Sequence, residues 1–253
     1  MTFDNQVVVV TGGADGIGLA VAQRLKASGA QVVIGDVDAE KVNLKAEADG
    51  LVGVHCDVRR EADIAGLVDA ASALGPVDIV MANAGVAVGG RFEQIPIEEW
   101  QRLFEVNVHG VVRTINAFLP AMLERGQGRI IVTGSSAGLF RSDGFNAPYA
   151  ASKHALRALT EGLAVYCKDT GVSVHYLAPR LTDTAFPKSS VAWGRKGSRV
   201  TSDHQLGDDY DTVDDVVDAL FEAIESGRFL TSLTPESESR LVDYASELVQ
   251  RSS

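Results

Sequence analysis

The feature that most limits how this chain can fold is the alternation of short strand-like runs with longer amphipathic segments. Runs rich in valine and isoleucine recur as far as Pro179, and most of them have no polar face to turn toward solvent. Between these runs, apolar residues return at the three- and four-residue spacing of helices. Strands that are apolar on both faces are typical of parallel sheets covered by helices on both sides.

These patterns predict the position of each element. Strands are predicted at 6–10, 31–36, 51–57, 77–85, 129–136, 172–179 and 228–233. Helices are predicted at 17–28, 39–49, 61–74, 97–124, 149–168, 212–226 and 236–251. The alternation stops at 180–211, a stretch rich in Ser, Gly, Lys and Arg that is too long for an ordinary connection. We interpret 180–211 as a flap over a functional site, within one α/β domain that spans 1–253.

Composition and charge exclude several classes of function. Of the 253 residues, 45% are hydrophobic and 23% are charged, which are ordinary values for a globular domain. A net charge of −11 without a long basic stripe excludes nucleic acid and anionic membrane surfaces as partners. No apolar run approaches the ~18 residues of a membrane span, and no signal peptide is apparent, so a cytoplasmic location is expected. The expected partners are small molecules and further copies of the chain.

The two cysteines predict neither a disulfide framework nor a metal centre. Cys56 and Cys167 are far apart and lack CxxC or other metal-ligand spacing. We therefore expect two reduced thiols and no metal.

The first chemical signal is the glycine-rich segment TGGADGIG at 11–18, which follows the first strand and begins the first helix. Gly12, Gly16 and Gly18 allow a sharp turn that lets the backbone approach a pyrophosphate at the positive end of the helix dipole. Asp36 ends the second strand, where a carboxylate can accept hydrogen bonds from both hydroxyls of an adenosine ribose. The sequence alone also allows a merely tight turn at 11–18 and a helix-capping role for Asp36.

The second signal is the pair Tyr149 and Lys153, whose spacing places both on one face of a helix. Bringing a tyrosine pKa from about 10 toward neutrality requires roughly 4 kcal/mol. An ammonium about 4 Å away supplies a term of about that size at an effective dielectric constant of 20. The pair is therefore a candidate general acid–base. Ser136 ends the fifth predicted strand, thirteen residues before Tyr149, and this spacing favours it over Ser135 as the partner hydroxyl.

Taken together, these motifs resemble the classical short-chain dehydrogenase/reductase family along nearly the whole chain. The matching segments are TGGADGIG at 11–18, CDV at 56–58, NAG at 83–85, EVNVHG at 105–110, TGSSAG at 133–138 and YAASK at 149–153. The resemblance implies a doubly wound, Rossmann-type parallel sheet of about seven strands in the order 3-2-1-4-5-6-7. It also implies assembly into homodimers or homotetramers.

The resemblance implies a mechanism as well. Ser136 would bind the substrate oxygen, and Tyr149 would take its proton as hydride leaves carbon for nicotinamide. Lys153 would lower the tyrosine pKa and hold the nicotinamide ribose, while Asn107 would bind a water through its backbone. The implied cofactor contacts are Gly12, Asp15, Gly16, Ile17, Gly18, Asp36, Asp57, Val58, Asn83, Ala84, Gly85, Tyr149, Lys153, Pro179, Thr182 and Thr184.

The expected cofactor is NAD rather than NADP, because Asp36 would repel a 2′-phosphate and Asp15 would add a second negative group. Two alternatives stay open. An NADPH-dependent 3-oxoacyl-type reductase would share every catalytic motif, although Asp36 argues against it. A non-catalytic cofactor-binding regulator would be marked by loss of one of the four catalytic residues, and all four types are present.

The chain departs from the family pattern after its sixth predicted strand. Where Pro-Gly is usual, it has Pro179 followed by Arg180, which would be strained if the position required a positive φ. The substrate pocket is expected among 86–92, 138–140, Phe145 and the flap, with mostly apolar walls suited to a hydrophobic alcohol, a steroid-like molecule or a keto-acid derivative. Basic flap residues are a candidate anion site, with Arg180 as a further candidate: Lys188, Arg195, Lys196 and Arg199.

Overall fold

A computed structural model of the chain describes residues 2–140, 144–182, 191–193, 199–201 and 211–231. Its main sheet has seven parallel strands in the order β3-β2-β1-β4-β6-β7-β10. These strands are β1 (Val7–Thr11), β2 (Gln31–Asp36), β3 (Val52–His55), β4 (Val77–Ala82), β6 (Gly128–Thr133), β7 (Val172–Leu177) and β10 (Leu230–Thr231). Counted among themselves, they follow the order 3-2-1-4-5-6-7, so the predicted sheet is confirmed.

Helices cover both faces of this sheet. They are α1 (Gly16–Ala27), α2 (Ala39–Asp49), α3 (Glu61–Ser72), α4 (Ile97–Phe104), α5 (Gly110–Arg125), α6 (Ala147–Tyr166) and α7 (Val213–Ser226). Alternate residues of each strand point to opposite faces: Val7 and Val9 pack in the core beneath α3, α5 and α6, whereas Val8 and Val10 pack beneath α1, α2 and α7. Burial on both faces explains why most of these strands have no polar face.

The predicted helix at 97–124 is divided into three parts. Helix α4 is followed by a π-helical turn, Glu105–His109, and then by α5. The apolar periodicity that predicted one helix does not distinguish an α-helical turn from a π-helical turn, because both are helical and differ by one residue per turn. This local widening lies at the predicted catalytic Asn107.

A second, smaller sheet was not predicted. It consists of β5 (Val88–Gly90), β8 (Val191–Trp193) and β9 (Arg199–Thr201), with β8 between the other two. Two of its strands fall within the predicted flap, at 180–211. The structure also describes 180–182 and 211 at the ends of the flap. The rest of the flap lies outside the described residues, as does the predicted helix at 236–251. No helix in the described ranges has the length and apolarity needed to cross a membrane.

Candidate active site

The glycine-rich turn between β1 and α1 is closed by the segment that follows β4. The side-chain amide of Asn83 donates to the carbonyl of Gly12 at 3.0 Å, and its backbone N–H donates to Oγ1 of Thr11 at 3.0 Å. Gly12 has a φ of +64°, and a Cβ atom there would lie 2.8 Å from Cα of Ala84. The turn therefore needs glycine for both conformation and close approach. It brings the amino end of α1, which includes Gly16, Ile17 and Gly18, to the carboxyl edge of the sheet, where helix N–H groups bind phosphates.

Asp36 lies at the same edge and is fixed to the glycine-rich turn. Its carboxylate accepts the backbone N–H of Ala14 at 3.1 Å and that of Asp38 at 3.1 Å. An ionised carboxylate has about four acceptor positions, so these two bonds leave capacity for a ribose diol. Asp36 is therefore held in place for the predicted contact by neighbouring backbone.

Asp15 is placed differently from what the sequence suggested. Its carboxylate caps α1 by accepting the N–H of Gly16 at 2.7 Å, and it forms an ion pair with Lys41. The charge of Lys41 offsets that of Asp15, so the predicted second repulsive group against a 2′-phosphate is largely neutralised. The expected preference for NAD over NADP then depends on Asp36.

Asp57, after β3, is engaged by a neighbouring arginine. Its Oδ1 accepts the backbone N–H of Arg59 at 3.0 Å and the guanidinium Nε at 2.9 Å. The Arg59 hydrogen bond holds the pKa of Asp57 below its usual value. Val58 is buried, and a Cβ on Gly110 would lie 2.6 Å from its Cγ2 atom. The cofactor contact that the resemblance implies for Asp57 stays a prediction, and part of its carboxylate already binds Arg59.

Asn107 is fully buried in the π-helical turn and holds the segment after β4. Its side-chain amide donates to the carbonyl of Val86 at 2.9 Å and to Oγ of Ser152 at 3.0 Å, while its carbonyl oxygen accepts the N–H of Val86 at 2.8 Å. A single side chain thus joins the strand edge to α6. Because the amide groups are occupied, any water bound by this residue would use its backbone, as the resemblance implies.

Tyr149 and Lys153 lie one turn apart on α6. The Lys153 side chain is only 3% exposed, and its Nζ donates to the carbonyl of Thr133 at 2.9 Å. Nζ lies 5.6 Å from the centroid of the Tyr149 ring. Burial lowers the pKa of Lys153 to about 8. Burial raises the pKa of Tyr149 to about 12, against the lowering effect of a hydrogen bond from Ser135.

The lowering of the Tyr149 pKa that is expected of Lys153 stays a prediction. An ammonium about 4 Å away at an effective dielectric constant of 20 would lower that pKa. In the structure, removal of the phenol from water is the larger effect. At pH 7 Lys153 is still mostly protonated, so its positive charge remains available in the site.

Ser135, rather than the neighbouring Ser136, is the serine whose side chain contacts Tyr149. The Ser135 side chain is hydrogen-bonded to Tyr149, and its Oγ also accepts the N–H of Ala137 at 3.1 Å. Ser136 begins a short 3₁₀ turn, Ser136–Gly138, and its backbone N–H donates to the carbonyl of Pro179 at 2.8 Å. Spacing along the chain favours Ser136, whereas the direction of each serine side chain depends on local backbone dihedrals, and these turn Ser135 toward Tyr149.

The segment after β7 resolves the question raised by Arg180. Among the described residues, the non-glycine residues with positive φ are Asn5 and Asp169, so Arg180 has no such strain. Its guanidinium lies 3.7 Å from the carboxylate of Asp211. Thr182 is buried and forms a bridge with Asp211, which joins the two ends of the predicted flap.

Several predicted flap and cofactor residues lie outside the described side chains. These are Thr184, Lys188, Arg195, Lys196 and Arg199. Pro179 is described and buried at the end of β7. Arg180, suggested as part of a basic anion site, is paired with Asp211 instead.

A family model described as short chain dehydrogenase matches residues 6–194. The chain is a short-chain dehydrogenase/reductase. It is thereby an oxidoreductase with a Rossmann-type, nucleotide-binding fold, as the sequence resemblance implied.

Individual relatives agree with this assignment. The 1-deoxy-11-beta-hydroxypentalenate dehydrogenase of Streptomyces exfoliatus is 34% identical over 251 residues, covering 96% of this chain and 88% of that protein. Dehydrogenase/reductase SDR family member 4 of Bos taurus is 39% identical, covering 76% of this chain and 70% of that protein. A solved short-chain dehydrogenase/reductase from Burkholderia phymatum in complex with NAD has a TM-score of 0.86 at 28% identity, over 99% of this chain and 96% of that one.

Some residues that support the site were not found from the sequence. They are Thr11, which anchors Asn83; Thr133, whose carbonyl binds Lys153; and Ser152, which binds Asn107. Each is a small polar residue at a strand end or inside a helix, and such residues are common elsewhere. The one available signal was position, because Thr11 directly follows the first predicted strand and Thr133 lies in the last half of the fifth, near the edge where sites of open α/β sheets lie.

Proposed function

We propose that this short-chain dehydrogenase/reductase is an NAD-dependent enzyme that oxidises a secondary alcohol, or reduces the corresponding ketone, with Tyr149 as general acid–base. The observation that supports this most directly is the hydrogen-bonded pair of Ser135 and Tyr149 beside a buried, cationic Lys153. These groups lie at the carboxyl edge of the sheet, which also carries the glycine-rich turn and Asp36.

Each residue has a role that follows from its contacts. In oxidation, Tyr149 accepts the hydroxyl proton of the substrate, and Ser135 donates a hydrogen bond to the same oxygen. The Lys153 ammonium has three donors, and the bond to Thr133 uses one, which leaves donors for a ribose hydroxyl. When bound, a nicotinamide would supply the hydride acceptor. Asn107 keeps the loop after β4 fixed against α6.

The described residues fit a dinucleotide. The amino end of α1 suits its pyrophosphate, and Asp36 suits a ribose diol rather than a phosphate. The related 3-ketoacyl-(acyl-carrier-protein) reductase from Brucella melitensis, 26% identical with a TM-score of 0.76, was solved with NADH. It therefore supports a nicotinamide cofactor also under the alternative that this chain is a reductase of the 3-oxoacyl type.

The cofactor preference is the first testable prediction. We expect catalytic efficiency with NAD to exceed that with NADP by at least about a hundredfold, or ~2.7 kcal/mol, because Asp36 meets the 2′-phosphate with a like charge. Asp36→Asn should narrow this ratio mainly by improving NADP. The control is Glu47→Gln, which removes an exposed carboxylate near the end of α2. Equal efficiency of the wild type with both cofactors would contradict the proposal.

The substrate is proposed as an apolar secondary alcohol or hydroxy acid. The pocket predicted from the sequence is mostly apolar, and one relative is named as a dehydrogenase of 1-deoxy-11-beta-hydroxypentalenate, a hydroxylated acid.

We also propose one domain over 1–253, a homodimer or homotetramer, and a cytoplasmic location. A non-catalytic regulator is disfavoured because Asn107, Tyr149 and Lys153 are all present and Ser135 is hydrogen-bonded to Tyr149.

A substrate screen tests the enzymatic assignment. The purified protein is mixed with NAD and a panel of secondary alcohols, including cyclic, aromatic, steroid-like and hydroxy-acid compounds, at mildly alkaline pH, where oxidation is favoured. We expect NADH formation with apolar members and none with primary alcohols of similar size. The reverse reaction with the ketones and NADH is run in parallel. If both directions stay at the level of the Tyr149→Phe variant for every compound, the enzymatic proposal fails.

A further inference from the structure

We infer that Tyr176 is a positioning residue that holds the Ser135 turn against helix α6, an inference that rests on the proposed oxidoreductase function. Tyr176 lies in β7 and is fully buried. By volume it is first among the fully buried side chains of the described residues. A buried tyrosine hydroxyl needs hydrogen-bond partners, and the partners of this one belong to the candidate catalytic elements.

The Tyr176 hydroxyl joins two separate parts of the site. It donates to the backbone carbonyl of Lys153 at 3.2 Å, inside α6. The backbone N–H of Ser135, in the turn after β6, lies close enough to the same oxygen to lower the pKa of Tyr176. Tyr149 lies one helical turn before Lys153. A single oxygen atom therefore fixes the turn that carries the serine relative to the helix that carries the tyrosine.

The Tyr176 ring occupies space left by two glycines of the same turn. A Cβ atom on Gly134 would overlap the ring, and one on Gly138 would lie 2.6 Å from the Tyr176 hydroxyl and 2.5 Å from the Lys153 carbonyl. The backbone of TGSSAG thus packs directly on the ring, without an intervening side chain. This contact leaves little freedom for the turn as long as the ring is present.

The chemistry of Tyr176 suits positioning rather than proton transfer. Burial raises its pKa above the ordinary value of tyrosine, against the lowering effect of the Ser135 N–H. The hydroxyl therefore keeps its proton at working pH and remains a donor to Lys153. Its effect on the reaction passes through Ser135, whose own hydroxyl must reach Tyr149.

Tyr176→Phe removes the link and keeps the ring that fills the space beside Gly134 and Gly138. The Ser135 N–H then loses the oxygen atom beside it, and a buried N–H without a polar neighbour is a costly state that is relieved when the turn moves. We expect kcat to fall about tenfold, which corresponds to ~1.4 kcal/mol in the barrier. The KM for substrate and the Kd for NAD should stay within about twofold, because Tyr176 is expected to contact neither ligand. With substrate deuterated at the reacting carbon, the isotope effect on kcat should increase.

Two control variants separate this role from general stability. Tyr166→Phe makes the same chemical change on the exposed part of α6 and should leave all constants unaltered. Val174→Ala truncates a buried side chain two positions away in β7 and should lower the melting temperature while kcat stays within about twofold. A residue that merely filled space would follow the pattern of Val174→Ala.

A double-mutant cycle tests whether Tyr176 acts through Ser135. If it does, Tyr176→Phe should lower kcat less than twofold in a Ser135→Ala background, since the hydroxyl to be positioned is already gone. Multiplicative losses, or an unchanged kcat in the single variant, would overturn the inference while leaving the proposed function intact.

Crystal structures of the wild type and Tyr176→Phe give a readout that needs no substrate. The Ser135–Tyr149 hydrogen bond should be present in the first and lost in the second, and its retention in the variant would also overturn the inference.

Discussion

Replacing Tyr149 with phenylalanine is expected to lower kcat for alcohol oxidation by about 10²–10⁴-fold, the usual contribution of general acid–base catalysis. The variant removes the hydroxyl that takes the substrate proton and keeps the ring against Lys153. Folding and NAD binding should be retained, since the lost atom belongs to the reacting part of the site. The measurements are steady-state kinetics, NAD titration and thermal unfolding of the variant beside the wild type.

The pH dependence provides a second readout for Tyr149. Burial raises the pKa of Tyr149 to about 12, so the deprotonated fraction is small at neutral pH. As long as the pH stays below that pKa, the fraction increases about tenfold for each unit by which the pH rises. Oxidation by the wild type should accordingly accelerate as the pH rises, and any residual activity of Tyr149→Phe should lack that slope. Tyr166→Phe is the matched control and should preserve both rate and slope. Turnover by Tyr149→Phe within tenfold of the wild type would contradict the mechanism.

The second large effect is expected from Ser135→Ala, which should lower kcat by about 10²–10³-fold, a typical cost of removing one donor to a reacting oxygen. The substitution also removes the hydrogen bond that lowers the Tyr149 pKa, so that pKa should rise and less deprotonated tyrosine remains at a given pH. Both effects act in the same direction. Comparison of kcat and its pH profile with the wild type measures them together.

Ser136→Ala is the matched variant for this experiment. It makes the same change one residue away, and the backbone N–H that Ser136 donates to Pro179 is retained. We expect its kcat to stay within about threefold of the wild type. The reverse ranking, a large loss for Ser136→Ala and a small one for Ser135→Ala, would restore the spacing-based assignment and refute the structural one.

The choice between these serines shows why local sequence was insufficient at the site. Ser135 and Ser136 are identical in chemistry and adjacent in the chain, so motif and spacing distinguish them poorly. The backbone of Ser135 is extended, with φ −173° and ψ 157°, and Ser136 begins the 3₁₀ turn. Which hydroxyl reaches Tyr149 depends on these dihedral angles and on the position of α6, and both are set by packing against β7.

The pKa values of the catalytic candidates and the partners of the charged residues could not be predicted from the sequence either. The spacing of Tyr149 and Lys153 correctly put them on one helical face, but it did not indicate how far burial would shift each pKa. The partners of Asp15 and Arg180 come from distant parts of the chain: Lys41 in α2, and Asp211 before α7. Electrostatic effects depend on distance and solvent exposure, and neither quantity is a local property of sequence.

The sequence by itself determined the parallel sheet, because apolar strand-like runs that alternate with amphipathic helical segments are typical of one. Its motifs determined the family, and the strand order was implied by that resemblance. It also identified Asn107, Tyr149 and Lys153 as candidates, since their residue types and spacing belong to recognisable motifs. The tertiary structure decided which serine contacts Tyr149, which charges are already paired, and that Tyr176 lies beneath the site. Those features arise where segments far apart in sequence meet, and hydrogen bonds a few ångströms long are determined by that three-dimensional packing.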